Sequence, residues 1–251
     1  MSASSKILVE IAVHTIESAI AAEKGGADRV EVFSNPLEGG VTPSEGLMAV
    51  IREKLTRDIH IMIRPRGGDF LYSDMEFEAM CRDIEVARGV GANGVVLGIV
   101  HVDGTIDMKR IRRLVEAARP LSVTFHRAFD ACKDHEKALE ELIECGVDRV
   151  LTSGGEANAV LGSRLISQLV RIAGQRTKIV AAGGINPTNV RQIVEETGVS
   201  EVHAGLRSTI SGPMRFQNRK IRLGQGAPSE YQRIVVREED VRKLVAEAGR
   251  L

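Results

Sequence analysis

The chain has 251 residues, 43% of them hydrophobic, and its 34 basic and 34 acidic side chains give a formal net charge of zero. This length is sufficient for one large α/β domain or two small ones, with a substantial buried core. Proteins that bind nucleic acids or membrane surfaces usually carry a basic excess, so the balanced charge argues against both kinds of partner.

The N-terminal segment and the cysteines predict a cytoplasmic protein. Glu10 interrupts the first apolar run, unlike the uninterrupted core of a secretory signal, and no apolar run approaches membrane-spanning length. Cys81, Cys132 and Cys145 are widely spaced and odd in number. Neither a disulfide framework nor a zinc knuckle is therefore expected.

A recurring phrase organises the chain from the first helix onward. It begins at Gly26, Gly91, Gly146 and Gly198, each time between a helical-looking segment and a β-branched run. Each interval can hold two βα units of roughly 30 residues. The four additional strands are predicted at 7–13, 59–64, 121–126 and 178–182. Eight strands alternating with helices predict a single (β/α)8 TIM-barrel domain over residues 1–251. A doubly wound sheet is the alternative, but no GxGxxG follows the first strand.

Polar residues mark the predicted starts of several helices, and apolar residues follow them at spacings of three and four. The candidate N-caps are Thr15, Ser44, Ser73, Asp107 and Asp134. After the eighth strand, a long loop is predicted at 206–231, followed by a terminal helix at 236–249. The loop carries the cations Arg215, Arg219, Lys220 and Arg222. We expect it to close over an anionic ligand or to contact a second subunit.

Functional residues of such barrels lie at the C-terminal ends of the strands. The candidate catalytic residues there are Glu10, Glu31, His126 and Arg127. Strand alternation turns the apolar residues toward the helices and these polar residues toward the barrel interior. A structural ion-pair network of Glu10 and Glu31 with Arg64 and Arg127 is the alternative, because charges inside a barrel must be paired or used. His60 is expected to be structural, and His135 to face solvent.

Two kinds of anion site are predicted at the same end. Arg64 and Arg66 follow the third strand and could grip an anion together, or they could neutralise buried carboxylates. The backbone N–H groups near Ser153-Gly154 and Gly183-Gly184 could hold a phosphate, although paired glycines also occur simply in tight turns. His126 and His203 are candidates for proton transfer or for metal ligation.

Two phrases of this sequence, RPRGGDF at 64–70 and TFHRAFD at 124–130, resemble the CutC family. The resemblance extends from about Glu10 to Asn218. It implies a cytoplasmic, barrel-shaped, homodimeric protein of copper homeostasis, with copper(I) as the ligand.

The resemblance also implies where copper would bind. Family members proposed to bind copper have cysteines near the ends of the first two strands, where this chain has Ala12 and Phe33. Neither side chain offers a donor atom, so direct copper binding is doubtful. The donors left near the mouth are His126, His203, His14 and Cys132.

Two functions therefore remain open. One is a copper homeostasis protein. The other is an enzyme or sensor for a small anionic or phosphorylated metabolite, held by Arg64, Arg66 and the glycine loops. In that second function His126 transfers a proton, and Glu10 or Glu31 orients it.

Overall fold

A computed structural model describes residues 6–218, 220–221 and 229–249. Eight parallel strands close into a barrel in chain order, which confirms the predicted (β/α)8 fold. They are β1 (Leu8–Val13), β2 (Arg29–Val32), β3 (Asp58–Met62), β4 (Gly94–Leu97), β5 (Ser122–Phe125), β6 (Arg149–Thr152), β7 (Lys178–Ala181) and β8 (Glu201–Ala204).

Helices cover the outside of the barrel. They are α1 (Ile16–Lys24), α2 (Glu45–Lys54), α3 (Asp74–Gly89), α4 (Met108–Ala118), α5 (His135–Glu144), α6 (Ser163–Ala173), α7 (Val190–Thr197) and α8 (Glu238–Ala248). Side chains at all five predicted N-caps accept hydrogen bonds from backbone N–H groups, which confirms these helix starts. In the described part of the chain, no helix combines the length and the apolarity that crossing a bilayer requires.

The region predicted as a loop at 206–231 contains regular structure, so that prediction was partly wrong. Strand β9 (Arg207–Ser211) pairs antiparallel with β10 (Gln232–Val236), outside the barrel. The β-branched residues Thr209 and Ile210 favour a strand here, although polar residues dominate β9. Two of the predicted loop cations, Arg219 and Arg222, lie outside the described residues.

Ser18 of α1 ties this additional sheet to the barrel wall. Its buried hydroxyl accepts hydrogen bonds from the backbone N–H of Val236 at 3.0 Å and from the hydroxyl of Thr15 at 2.8 Å. We expect Ser18→Ala to lower the free energy of unfolding by about 2 kcal/mol, because it leaves a buried N–H without an acceptor. Urea denaturation measures this effect. Ser200→Ala, directly before β8, is the control, and an equal loss in both variants would contradict the prediction.

The residues of each strand alternate between two environments. The outward side chains, such as Val30 and Ile59, belong to the large apolar core under the helices. Two small apolar clusters instead face the barrel interior: one of Ala12, Phe33, Met62 and Val96, the other of Leu151, Val180 and Ala182. The remaining interior positions are mostly polar, as the alternation predicts.

Two glycines make room for interior histidines. A Cβ added at Gly94 would lie 2.6 Å from Nε2 of His60, and one at Gly98 would lie 2.6 Å from Nδ1 of His126. A larger residue at either position would displace an imidazole ring. The glycines thus let β4 pass close to both histidines.

Candidate functional site

A cavity of about 910 Å³ opens at the C-terminal ends of the strands, and we call it the mouth cavity. Of the predicted site residues, those that line it are Glu31, Arg64, His126, Arg127, Gly183, Gly184 and His203. The others, Glu10, Arg66, Ser153 and Gly154, are not among the described lining residues.

Glu10 lies beneath the cavity in a buried network of charges. Its carboxylate accepts a hydrogen bond from Nε of Arg29, whose Nη2 also donates to Glu201 at 2.7 Å. Arg149 donates to the same oxygen of Glu201 at 3.0 Å. Burial would raise the pKa of Glu10, but the charge of Arg29 and a hydrogen bond from His203 hold it well below its usual value. Glu10 is therefore an ionised, structurally held carboxylate.

The predicted partners of this network were wrong, although a network does exist. The alternative paired Arg64 and Arg127 with Glu10 and Glu31, whereas in the structure Arg29 pairs with Glu10 and Glu201, and Arg149 with Glu201. Both arginines occupy the same place in the recurring phrase, directly after an aspartate and at the start of a strand. Their shared position is a signal that could have identified them, because a strand-start arginine can extend along the barrel axis.

Glu31 and His203 form a coupled pair at the wall of the cavity. Nδ1 of His203 lies 2.6 Å from Glu10 and 3.3 Å from Glu31. Burial raises the pKa of Glu31 to about 7; His203 opposes this shift and the negative charge of Glu10 adds to it. Burial lowers the pKa of His203, but the two carboxylates outweigh it and the net shift is upward. A proton can thus be exchanged here near neutral pH.

His126 is buried, and its hydrogen bond fixes its tautomer. Nδ1 accepts a hydrogen bond from the backbone N–H of Ala128 at 3.1 Å, so the proton of the neutral ring is on Nε2. Burial, followed by the charge of Arg64, lowers the pKa of His126 to about 3. Nε2 has no partner among the described residues. This geometry favours a neutral hydrogen-bond donor over the proton-transfer role predicted for His126.

Of the predicted metal pair, His203 belongs to a three-residue donor cluster of the described residues and His126 does not. Within the described residues, the donor atoms that lie within 4.8 Å of one another belong to Glu10, Glu31 and His203. A ligand bond from Nε2 of His126 would require loss of its proton or of the hydrogen bond to Ala128.

The donors present do not fit copper(I). Carboxylates and imidazole are harder ligands than the thiolates and thioethers that copper(I) prefers. Ala12 and Phe33 pack with Met62, whose thioether is the soft donor among the described lining residues. Cys132 is buried, and burial raises its pKa to about 12, which keeps it a thiol.

Arg64 and Arg66 do not form a shared anion grip. The guanidinium of Arg64 donates to the carbonyls of Glu38, Gly40 and Gly68 at 2.7–2.8 Å, which fixes two loops at the cavity rim. A separate set of acceptors holds Arg66 away from the cavity. They are Glu76 at 2.6 Å, Asp69 at 2.9 Å and the carbonyl of Leu71 at 2.7 Å. The acidic residues that follow RPRGG in the sequence bind its second arginine.

The predicted anion site at Ser153 and Gly154 is filled by the chain itself. The carboxylate of Asp130 accepts hydrogen bonds from the backbone N–H groups of Ser153 and Gly155, both at 3.1 Å. The hydroxyls of Thr152 and Ser153 donate to it at 2.5 and 3.0 Å. The loop after β6 therefore does hold an anion, but that anion is a side chain of the protein.

His60, His14 and His135 take no part in the Glu31–His203 pair. His60 is buried in the barrel interior, 3.9 Å from Glu10, and burial lowers its pKa to about 3. His14 packs against Phe33, and burial lowers its pKa too. His135 was expected to face solvent, but it is half-buried, with its ring centroid 5.3 Å from that of Phe129. That expectation was wrong because α5 begins against the short 3₁₀ helix at Arg127–Ala131.

Arg207 is a cavity residue to which the sequence assigned no role. It begins β9, lies over the ring of Phe33 at 5.7 Å and donates to the carbonyl of Pro36 at 2.8 Å. Its charge also acts on Glu31. Its position directly after the eighth strand was the available signal.

Residues 7–208 match the model of the CutC family. The match spans all eight strands of the barrel and every described cavity residue except Asp240. This chain belongs to the CutC family. A CutC relative from Homo sapiens, named copper homeostasis protein cutC homolog, is 44% identical over 245 residues, covering 97% of this chain and 90% of that one.

Two additional CutC proteins support the family and the fold. A CutC family protein of Bacteroides fragilis is 45% identical over 240 residues, covering 95% of this chain and 96% of that one. The crystal structure of a CutC protein from Streptococcus agalactiae gives a TM-score of 0.75 at 33% identity, covering 78% of this chain and 97% of that chain.

Proposed function

We propose that this CutC chain acts in copper homeostasis, the role that the name of its human relative states, through acid–base chemistry on a small anionic ligand in the mouth cavity. The observation that carries the chemical part is the Glu31–His203 pair at the cavity wall, with the pKa of Glu31 raised to about 7. Such a carboxyl group can accept and return a proton at neutral pH. We further propose a cytoplasmic homodimer, as the family resemblance implies.

The surrounding residues supply the other parts of such a reaction. Glu10, held by Arg29, is a positioning residue that orients His203. The guanidinium of Arg207 is a donor for negative charge that develops on the ligand. Preorganised donors in a cavity shielded from water stabilise such charge more strongly than solvent does.

A metal site is the second candidate, and the Glu10, Glu31 and His203 cluster favours it. Two carboxylates and an imidazole suit a divalent ion better than copper(I). Binding would displace the proton shared by His203 and the carboxylates, so metal affinity would rise with pH.

The copper part is tested by a copper(I) titration against a chromogenic chelator on the wild-type protein and on His203→Ala. We expect no competition from either protein, because no described thiol lines the cavity. Tight one-to-one binding that His203→Ala abolishes would leave the copper homeostasis role in place, but it would contradict the acid–base route and would indicate a histidine-based copper site.

The catalytic part is tested with a panel of small phosphorylated and carboxylated metabolites. Ligands that raise the melting temperature of the wild-type protein are incubated with it in D₂O and followed by NMR. We expect exchange of a ligand C–H proton for deuterium in the wild type and its loss in Glu31→Gln. Glu38→Gln, at the rim of the same cavity, is the matched control. Equal exchange in all three proteins would refute the role of Glu31.

A further inference from the structure

The loops after β6 and β7 each carry a pair of glycines with left-handed φ angles, but the N–H groups of the two pairs differ in their acceptors. In the barrel register, Thr152 of β6 lies beside Ala181 of β7, so the Gly154-Gly155 and Gly183-Gly184 pairs follow at equivalent positions. All four glycines have left-handed φ angles, between 71° and 94°. The loop after β6 therefore provides a template for what the loop after β7 can bind.

Two side chains accept hydrogen bonds from the glycine N–H groups of the first loop, and the second loop has no equivalent of them. The hydroxyl of Thr152 accepts a hydrogen bond from the N–H of Gly154 at 2.8 Å, whereas Ala181 has no hydroxyl to offer Gly183. Asp130 accepts from the N–H of Gly155. Among the described residues, no acceptor is recorded for the N–H of Gly183 or of Gly184.

Arg127 connects the two loops. Its Nε donates to Asp130 at 2.7 Å and its Nη2 to the hydroxyl of Ser153 at 2.7 Å, which fixes the guanidinium. Its Nη1 has no recorded acceptor in the described part of the chain. A Cβ added at Gly183 would lie 3.6 Å from Cζ of Arg127, an ordinary van der Waals contact, which places the guanidinium directly beside the second loop.

We infer that the loop after β7 is a subsite for the phosphate group of a phosphate monoester, held by Arg127 and the backbone N–H groups of Gly183 and Gly184. All three residues line the mouth cavity. A fixed guanidinium beside free backbone N–H groups suits a phosphate oxyanion, and phosphate sites of barrels commonly use the loops after the seventh and eighth strands.

The phosphate subsite rests on the proposed function, which places the acid–base reaction at the other end of the same ligand. Strand β7, which precedes Gly183, pairs with β8, which carries His203. Neighbouring strands are about 5 Å apart, so a ligand of a few carbons would bring its reacting atom to Glu31 and His203 while its phosphate contacts Arg127. The substrate class is a small phosphorylated metabolite with an acidic proton.

The test uses inorganic phosphate as the probe, titrated by calorimetry at constant ionic strength. We expect saturable binding to the wild type and at least about tenfold weaker binding to Arg127→Gln, which loses a charge-assisted hydrogen bond. Arg66→Gln is the matched control, because it removes an equal charge that is bound outside the cavity. Equal weakening in both variants, or wild-type binding no stronger than that of chloride, would overturn the subsite.

Three additional measurements test the subsite independently of Arg127→Gln. Ala181→Ser supplies a hydroxyl to Gly183 without touching Arg127, and we expect it also to weaken phosphate binding. It replaces Arg127→Gln if that variant fails to fold. Acetate that binds more tightly than phosphate in an Arg127-dependent way would overturn the assignment of phosphate. Glu31→Gln should retain phosphate binding, so failure of the acid–base proposal and failure of the subsite remain distinguishable.

Discussion

Replacing Arg29 with methionine is expected to lower the free energy of unfolding by about 3–5 kcal/mol, because it leaves the buried carboxylate of Glu10 without its arginine. Arg29 is 1% exposed and lies between Glu10 and Glu201. Methionine keeps much of the side-chain volume but carries no charge. Urea denaturation at pH 7 measures the loss. The loss should shrink as the pH falls, because the carboxyl group of Glu10 can take up a proton once Arg29 is gone.

Arg176→Met is the control for this experiment. Arg176 also forms a pair with a carboxylate, binding Glu140 through both Nη atoms at 2.7 Å, but both side chains are about half exposed to solvent. Exposed pairs contribute little to stability, so we expect a much smaller loss. Similar losses in the two variants would contradict the structural importance assigned to the buried network.

Replacing Glu31 with glutamine is expected to stabilise the protein relative to the wild type as the pH rises. The pKa of Glu31 is 4.5 in a solvated reference state and about 7 in the fold. Between these values the native state binds more protons than the unfolded state, so the stability present below pH 4.5 is lost as the pH rises through 7. The isosteric glutamine cannot lose a proton. Between pH 5 and pH 8 we expect a relative gain of about 3 kcal/mol for the variant.

This gain is measured as the difference between two pH profiles of urea denaturation. His60 and His126, whose pKa values burial lowers to about 3, destabilise both proteins as the pH falls below 6.5. That effect largely cancels in the difference. His203 acts in the same direction as Glu31, because its raised pKa also makes stability fall with rising pH. Parallel profiles for the two proteins would show that Glu31 is ionised throughout, and the acid–base proposal would lose its basis.

The barrel was predictable from the sequence because one backbone requirement recurs. Each glycine of the recurring phrase follows a helix, and its backbone directs the chain toward the next strand. All four have left-handed φ angles: Gly26, Gly91, Gly146 and Gly198. The repeated turn fixes the number and order of the βα units. Strands β9 and β10 carry no such marker, and β9 is largely polar, so they were taken for part of a loop or left unassigned.

The mouth of the barrel was predictable as a set of residues but not as a set of contacts. Glu31, His126, Arg127 and His203 follow from strand ends and alternation. Which cation meets which carboxylate depends on the reach of long side chains across several strands. Arg29 contacts Glu201, far away in the sequence, whereas Arg66 is bound by acids of its own loop and helix.

Strands β9 and β10 pair with each other outside the barrel. Their pairing allows the fold to close whatever the length of the segment that joins them. Strand β9 begins at the cavity with Arg207, and β10 leads directly into α8, which packs on α1. Closing a longer segment between such strands costs little entropy, about 0.6 kcal/mol for each doubling of its length. Insertions and deletions after Ser211 can therefore accumulate in evolution without disturbing the barrel. A change in the length of this segment would leave the strand-end residues of the mouth cavity in place.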